Sequence, residues 1–143
     1  MNEEIGIKGK LKIELIRDGK VVQTEKVNNI IVTTGKALVA LLVAGSGTAF
    51  SHMAIGTDST TEVVGDTALT AEVGRVTLTS KATTNNVISY IGDFPAGTGT
   101  GTITEAGVLN ASSSGTMLNR ATFSSVNKTA SDALKITWDV TFG

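Results

Sequence analysis

Leu134-Lys135-Ile136-Thr137-Trp138-Asp139-Val140-Thr141-Phe142 is the stretch on which the fold turns. Leu134, Ile136, Trp138, Val140 and Phe142 occupy one set of alternate positions, and Lys135, Thr137, Asp139 and Thr141 the other. Successive side chains of a strand point to opposite faces, so this is a half-buried strand with Trp138 on its core side. Strands recur upstream at 116–124, 103–109 and 87–94, the last preceded by the turn pair Asn85-Asn86. Residues 75–82 alternate as well, with Val76, Leu78 and Ser80 opposing Thr77, Thr79 and Lys81. Strands spaced in this way by Gly, Asn and Ser predict a single mainly β domain over 1–143, an antiparallel β-sandwich or barrel-like fold.

The N-terminal third adds a hairpin and one short α-helix. Residues 7–16 and 20–27 flank Arg17-Asp18-Gly19-Lys20, and Asp-Gly suits a type I′ turn because both central residues need positive φ. A two-residue turn sets Leu15 opposite Val22, Ile13 opposite Thr24 and Lys12 opposite Glu25. That register places Leu11, Ile13, Leu15 and Val22 on the core face. Lys10, Lys12, Glu14, Gln23 and Glu25 then face water, with a cross-strand ion pair. A helix follows over 36–43, capped by Thr33 or Thr34 and ended by Gly45 in the left-handed region. It is apolar all round, so a sheet or a neighbouring subunit covers it. Residues 51–56 read as a short buried strand and 57–65 as a polar loop. Asp66-Thr67 caps a single helical turn over 68–73.

Composition removes several function classes. The chain has 143 residues, and 12 Lys and Arg against 13 Asp and Glu give a net charge of -1, without the basic surplus of an electrostatic nucleic-acid binder. Cysteine is absent, which excludes disulfides, thiolate zinc sites and thiol nucleophiles. The 22 Thr and 11 Ser make roughly a quarter of the chain hydroxylic. The most apolar run, 37–44, reaches about 12 Å as a helix, far short of a bilayer. The acidic start Met1-Asn2-Glu3-Glu4 is unlike a signal peptide, so a soluble, cytoplasmically made chain with no membrane partner is expected.

Reactive constellations are sparse. His52, in Ser51-His52-Met53-Ala54-Ile55-Gly56, reads as a structural or interface histidine rather than a general base, and no Gly-x-Ser-x-Gly elbow supplies a serine. Asp58-Ser59-Thr60-Thr61-Glu62 lacks the order of a calcium loop. It reads as a solvated loop, with a weak calcium site shared between subunits as the alternative. The glycines of 97–101 lead into a strand rather than a helix, so they form a flexible loop and not a phosphate cradle. Trp138 and Tyr90 sit at core positions, which leaves no aromatic platform for a sugar. Glu105 interrupts the small and apolar stretch Thr104-Glu105-Ala106-Gly107-Val108. It is expected to be partly buried and paired with Arg75 or Arg120, an ion pair that holds strand register. No catalytic residue, cofactor or metal ligand is assigned.

Several stretches carry a resemblance. They are His52-Met53-Ala54-Ile55-Gly56-Thr57, the run from Asp66 to Arg75, Thr102-Ile103-Thr104-Glu105-Ala106-Gly107-Val108-Leu109-Asn110, Gly115 to Phe123, and the final strand, with Asn29 to Gly35 as an N-terminal element. The chain resembles small virion structural proteins of tailed bacteriophages. The resemblance implies a non-enzymatic capsid decoration or cement protein on the virion surface, bound to the major capsid protein and forming a dimer or trimer. A tail-tip, baseplate or fibre-associated protein and a receptor- or glycan-binding module are the alternatives. The segment Met1, Asn2, Glu3, Glu4, Ile5 and Gly6 ahead of the hairpin is the candidate contact arm.

Trp138→Ala is expected to cost about 3–5 kcal/mol in urea unfolding, as for other large buried aromatics. A near-neutral result would place Trp138 against a partner instead of the core.

Overall fold

The alternation of the last strand decides where the core lies. Leu134, Ile136, Trp138 and Val140 are buried, while Lys135, Thr137, Asp139 and Thr141 lie on the opposite side. The computed structural model describes residues 6–143. Within them, strands β1 (Ile7–Arg17), β2 (Lys20–Asn28) and β3 (Ile30–Ile31) lead into helix α1 (Thr33–Val43). Strands β4 (His52–Gly56), β5 (Glu72–Thr77), β6 (Ser80–Thr84), β7 (Val87–Phe94), β8 (Gly101–Leu109), β9 (Met117–Lys128) and β10 (Ala133–Phe142) follow. They form two antiparallel five-stranded sheets, ordered β2-β1-β10-β7-β6 and β3-β9-β8-β4-β5. The mainly β, sandwich-like architecture expected from the sequence is present.

The core between the sheets includes Leu11, Ile13, Trp138, Phe94, Met53, Ile103 and Val108. The second sheet is covered on its other face as well. Val32, Ala54, Leu69, Leu109 and Met117 make a smaller core there, beneath the chain that links β4 to β5. This explains why 103–109 is buried along its whole length and does not alternate with water.

Four local expectations are corrected. The hairpin turn forms as read, with φ of 52° at Asp18 and 74° at Gly19. A β-bulge between Leu15 and Ile16 then shifts the register, so Leu15 faces Gln23, Ile13 faces Glu25 and Lys12 faces Lys26. A bulge adds one residue to one strand and turns every later side chain over. Val22 is therefore about half exposed, and the expected Lys12–Glu25 pair is absent; Lys12 meets Glu14 at 3.6 Å.

Residues 75–82 are not one strand. The chain leaves the second sheet after Thr77 and enters the first at Ser80, a crossing that alternation alone does not reveal. Helix α1 starts without a side-chain cap: the Thr33 N–H donates to the Val64 carbonyl at 2.8 Å. Its C-terminus does close on Gly45 (φ 84°), with Gly45 N–H to Leu42 O and Ser46 N–H to Leu41 O, a Schellman arrangement. Finally, 68–73 contains no helical turn, because its backbone donors are used elsewhere.

The helix seats on β9 through Gly35, where a Cβ would overlap the backbone of Leu118. Leu38 is buried beside it, whereas Leu41 and Val43 are exposed, so the sheet covers only one side of the helix.

The β9–β10 turn is fixed by Asp132, which accepts two 2.9 Å bonds from Arg17 and one from the Thr129 N–H. These bonds, that from Arg17 foremost, hold the Asp132 carboxyl well below the usual carboxylate range. A depressed carboxyl stabilises the fold fully above its unfolded pKa of about 3.9 and ceases to do so as pH falls through the folded value. Arg17→Gln is therefore expected to lower the urea midpoint by a constant amount between pH 6 and 8 (roughly the range in which carboxylates stay ionised). The gap should close only in acid below about pH 4. A gap independent of pH down to acid unfolding would show that Asp132 does not depend on Arg17.

Candidate functional site

The densest cluster of ionisable groups lies on the outer face of the second sheet. Gly107 of β8 pairs with Arg120 of β9, and Glu105 pairs with Thr122, which sets Glu105 and Arg120 as diagonal neighbours on one face. Glu105 is fully buried and Arg120 is 1% exposed. The Arg120 Nε donates to Glu105 Oε1 at 3.1 Å, so of the two expected partners Arg120 is the one chosen. Arg75 instead makes a two-pronged pair with Glu72 and donates to the carbonyls of Ala111 and Ser114, holding the β8–β9 turn.

Both ions draw the 57–71 segment onto the sheet. Arg120 Nη1 donates to the Thr60 carbonyl at 3.0 Å and to Asp66 at 3.2 Å, and Nη2 to Asp58 at 3.3 Å. Glu105 accepts backbone N–H bonds from Thr70 (3.0 Å), Ala71 (2.8 Å) and Asp58 (3.2 Å). The Thr70 and Ala71 donors are those the sequence assigned to a helical turn. Gly56, paired with Glu105, makes room: a Cβ there would lie 2.5 Å from Glu105 Oε2. Asp58 is held below its ordinary pKa chiefly by the Thr60 N–H, with Arg120 adding a smaller effect. Thr122 donates its hydroxyl to Glu62.

This arrangement is chemically a clamp. Its carboxylates point at a guanidinium and at backbone donors, not at a shared vacant point. The 58–62 loop is exposed at Ser59, Thr60 and Thr61, as a solvated loop should be, but Arg120 anchors it through Asp58 and the Thr60 carbonyl. Among the described residues, no group of three or more His, Asp or Glu side chains is placed to hold a metal ion.

His52 lies at the start of β4, half-buried. Its Nδ1 is 2.7 Å from Ser51 Oγ and its Nε2 3.4 Å from Thr77 Oγ1. A hydroxyl on each ring nitrogen fixes the ring and leaves no carboxylate to orient it as a base. The glycine loop at 97–101 packs against β5, with the backbones of Gly74 and Gly99 too close for a Cβ at Gly74, and the buried Lys128 amine donates to the Pro95 carbonyl. Burial lowers the Lys128 pKa, and Asp132 opposes that shift. Tyr90 is in the core, where burial raises its pKa to about 12.

Asn29, which opens the 29–35 element, has no individual role in the sequence reading. Its Oδ1 accepts from Trp138 Nε1 in the first sheet and from Asn119 Nδ2 in the second, a polar bridge across the sandwich. Gly9 leaves space for it. Its only sequence signal is an Asn doublet, Asn28-Asn29, ahead of the apolar 30–32. Of the candidate arm, Met1, Asn2, Glu3, Glu4 and Ile5 lie outside the described residues; Gly6 accepts the Gly143 N–H at 2.7 Å. No described helix is long and apolar enough to cross a membrane.

Replacing Glu105 by Leu leaves Arg120 without its buried partner and frees the Thr70 and Ala71 donors. The expected loss is about 3–5 kcal/mol, together with new cleavage after Glu62 by a glutamyl endopeptidase. Wild-type resistance in the variant would mean that the segment is held without the pair.

No family model, no curated protein and no solved structure matches this chain.

Proposed function

We propose that this chain is a non-enzymatic structural protein of a tailed-bacteriophage particle, bound to the outer capsid surface, where it reinforces contacts between major capsid protein subunits. The observation that carries this reading is where the resembling motifs converge. Asp66, Thr70, Ala71, Glu105 and Arg120 all come from them, and they meet in one buried clamp. Motifs whose polar residues brace a β body fit a role in which shape and surface are the product. The polar residues most suited to chemistry are bonded to each other or to backbone.

A shell protein acts by many repeated contacts, so avidity supplies the strength that a single weak surface lacks. In this reading the protein assembles as a dimer or trimer on the particle, and residues 1–6 form an arm toward the shell. Of that arm only Gly6 is among the described residues, and its carbonyl accepts the Gly143 N–H.

Copy number tests the proposal. Quantitative gels of purified particles are expected to give on the order of hundreds of copies, as a repeated shell position demands. Deleting residues 1–6 is expected to lower that occupancy while the thermal midpoint holds. A handful of copies per particle would overturn the shell reading in favour of a tail component.

A further inference from the structure

The cations of this chain are unevenly employed. Arg17, Arg75 and Arg120 are held in ion pairs, and Lys81 and Lys128 donate to the carbonyls of Phe50 and Pro95. Lys8, Lys10, Lys12 and Lys26 instead stand together on the outer face of β1 and β2, the side turned away from the core. Lys8, Lys10 and Lys12 recur at alternate residues, so they line up about 6.8 Å apart along the strand. Lys10 lies between Asn28 and Asp139, and Lys12 between Lys26 and Thr137.

The Lys12–Lys26 pairing works against folding. Like charges directly opposite one another on a sheet destabilise it, and the bulge at Leu15 brings them into register. Among the described residues the only ion pair these four lysines make is Lys12–Glu14, at 3.6 Å. Further along the face, Lys135 is flanked by Glu14 and Asp93, so the positive surplus is confined to the β2 side. There the surface sinks into an open hollow of about 400 Å³, whose polar lining is Lys10, Lys12, Lys26, Asn28, Thr137 and Asp139, with two apolar residues between them. A local rule broken without a structural return is what a binding surface leaves behind.

We propose that this hollow docks an extended, acidic segment of a partner protein. Carboxylates on alternate residues of that segment match the spacing of Lys8, Lys10 and Lys12, and Asn28 and Thr137 bond its polar groups. Asp139 and Glu14 stand among the lysines, which suits a mixed polar peptide and opposes a continuous phosphate chain. No residue on this face of β1, β2 or β10 is aromatic, so nucleic-acid bases have nothing to stack on. The inference deepens the shell-binding reading and rests on it only for where the partner is found.

Fluorescence anisotropy of the full chain at low salt tests it. The probes are a labelled octapeptide of alternating Glu and Thr, a peptide of the same composition with its Glu residues contiguous, and an oligothymidylate of equal length. The alternating peptide is expected to bind best and to weaken about tenfold or more with Lys10→Gln, Lys12→Gln and Lys26→Gln combined, and with rising salt. Because the substitutions relieve repulsion, the variant's thermal midpoint should not fall. The single Lys26→Gln should weaken binding in the same direction. No binding of the alternating peptide, equal affinity in the triple variant, equal binding of the contiguous peptide, or tighter oligothymidylate binding would each overturn the proposal. On particles, high copy number with equal loading of the triple variant overturns the hollow alone. Low copy number with intact peptide binding overturns the shell reading alone.

Discussion

One buried guanidinium holds the outer half of this molecule in place. Arg120 sits almost without solvent and donates to Glu105, Asp58, Asp66 and the Thr60 carbonyl. Removing an arginine from water costs several kcal/mol, and that is offset only when its donors find acceptors in good geometry. Apart from Glu105 the acceptors come from the β4–β5 connection, so satisfying the charge folds that connection onto the sheet. Glu105 completes the exchange by accepting from the same connection's backbone. The middle of the second sheet, β4, most of β8 and the first half of β9, is thereby buried on both faces, with its small apolar core around Leu69 and Leu109.

The same interaction fixes register. A one-residue slip between β8 and β9 would carry Arg120 or Glu105 to the apolar side, where neither has a partner. The Asn29 bridge does for the two sheets what this pair does within one. It ties Trp138 of the central strand β10 to Asn119 of β9, so the sheets cannot slide without exposing buried polar atoms. A body locked at two such points is suited to presenting fixed surfaces. Its surfaces differ in kind: a lysine-lined hollow on β1 and β2, and a helix whose Leu41 and Val43 face outward.

Legibility in the sequence followed the range of the interactions. Strands β7 and β10 were read almost to the residue because alternation is a local signal, and the Asp18-Gly19 turn because positive φ restricts residue choice. Glu105 stood out because a carboxylate amid small apolar residues must be paired once buried. The bulge at Leu15 left no mark, since one extra residue preserves an acceptable pattern on either side of it. The break between β5 and β6 was likewise hidden, because alternation through Leu78 continues whether or not the chain changes sheets. Asp66-Thr67 looked like a helix cap because such side chains accept from the free N–H groups of a first turn; the Thr70 and Ala71 N–H groups donate instead to Glu105, a carboxylate 34 residues distant from Ala71.

By itself, then, the sequence determined the class of the fold, the core face of its principal strand, its hairpin and helix, and the need for a partner at Glu105. Those properties rest on periodicity, turn stereochemistry and the cost of burying charge, all of which act within a few residues. Only the tertiary structure decided that the partner is Arg120 and not Arg75, that the largely exposed 57–71 connection is tied to the sheet through that pair, and that Lys10, Lys12 and Lys26 share one hollow. Each depends on which strands become neighbours and in what register. Neighbours are chosen by the whole core at once, through contacts between residues far apart in the chain.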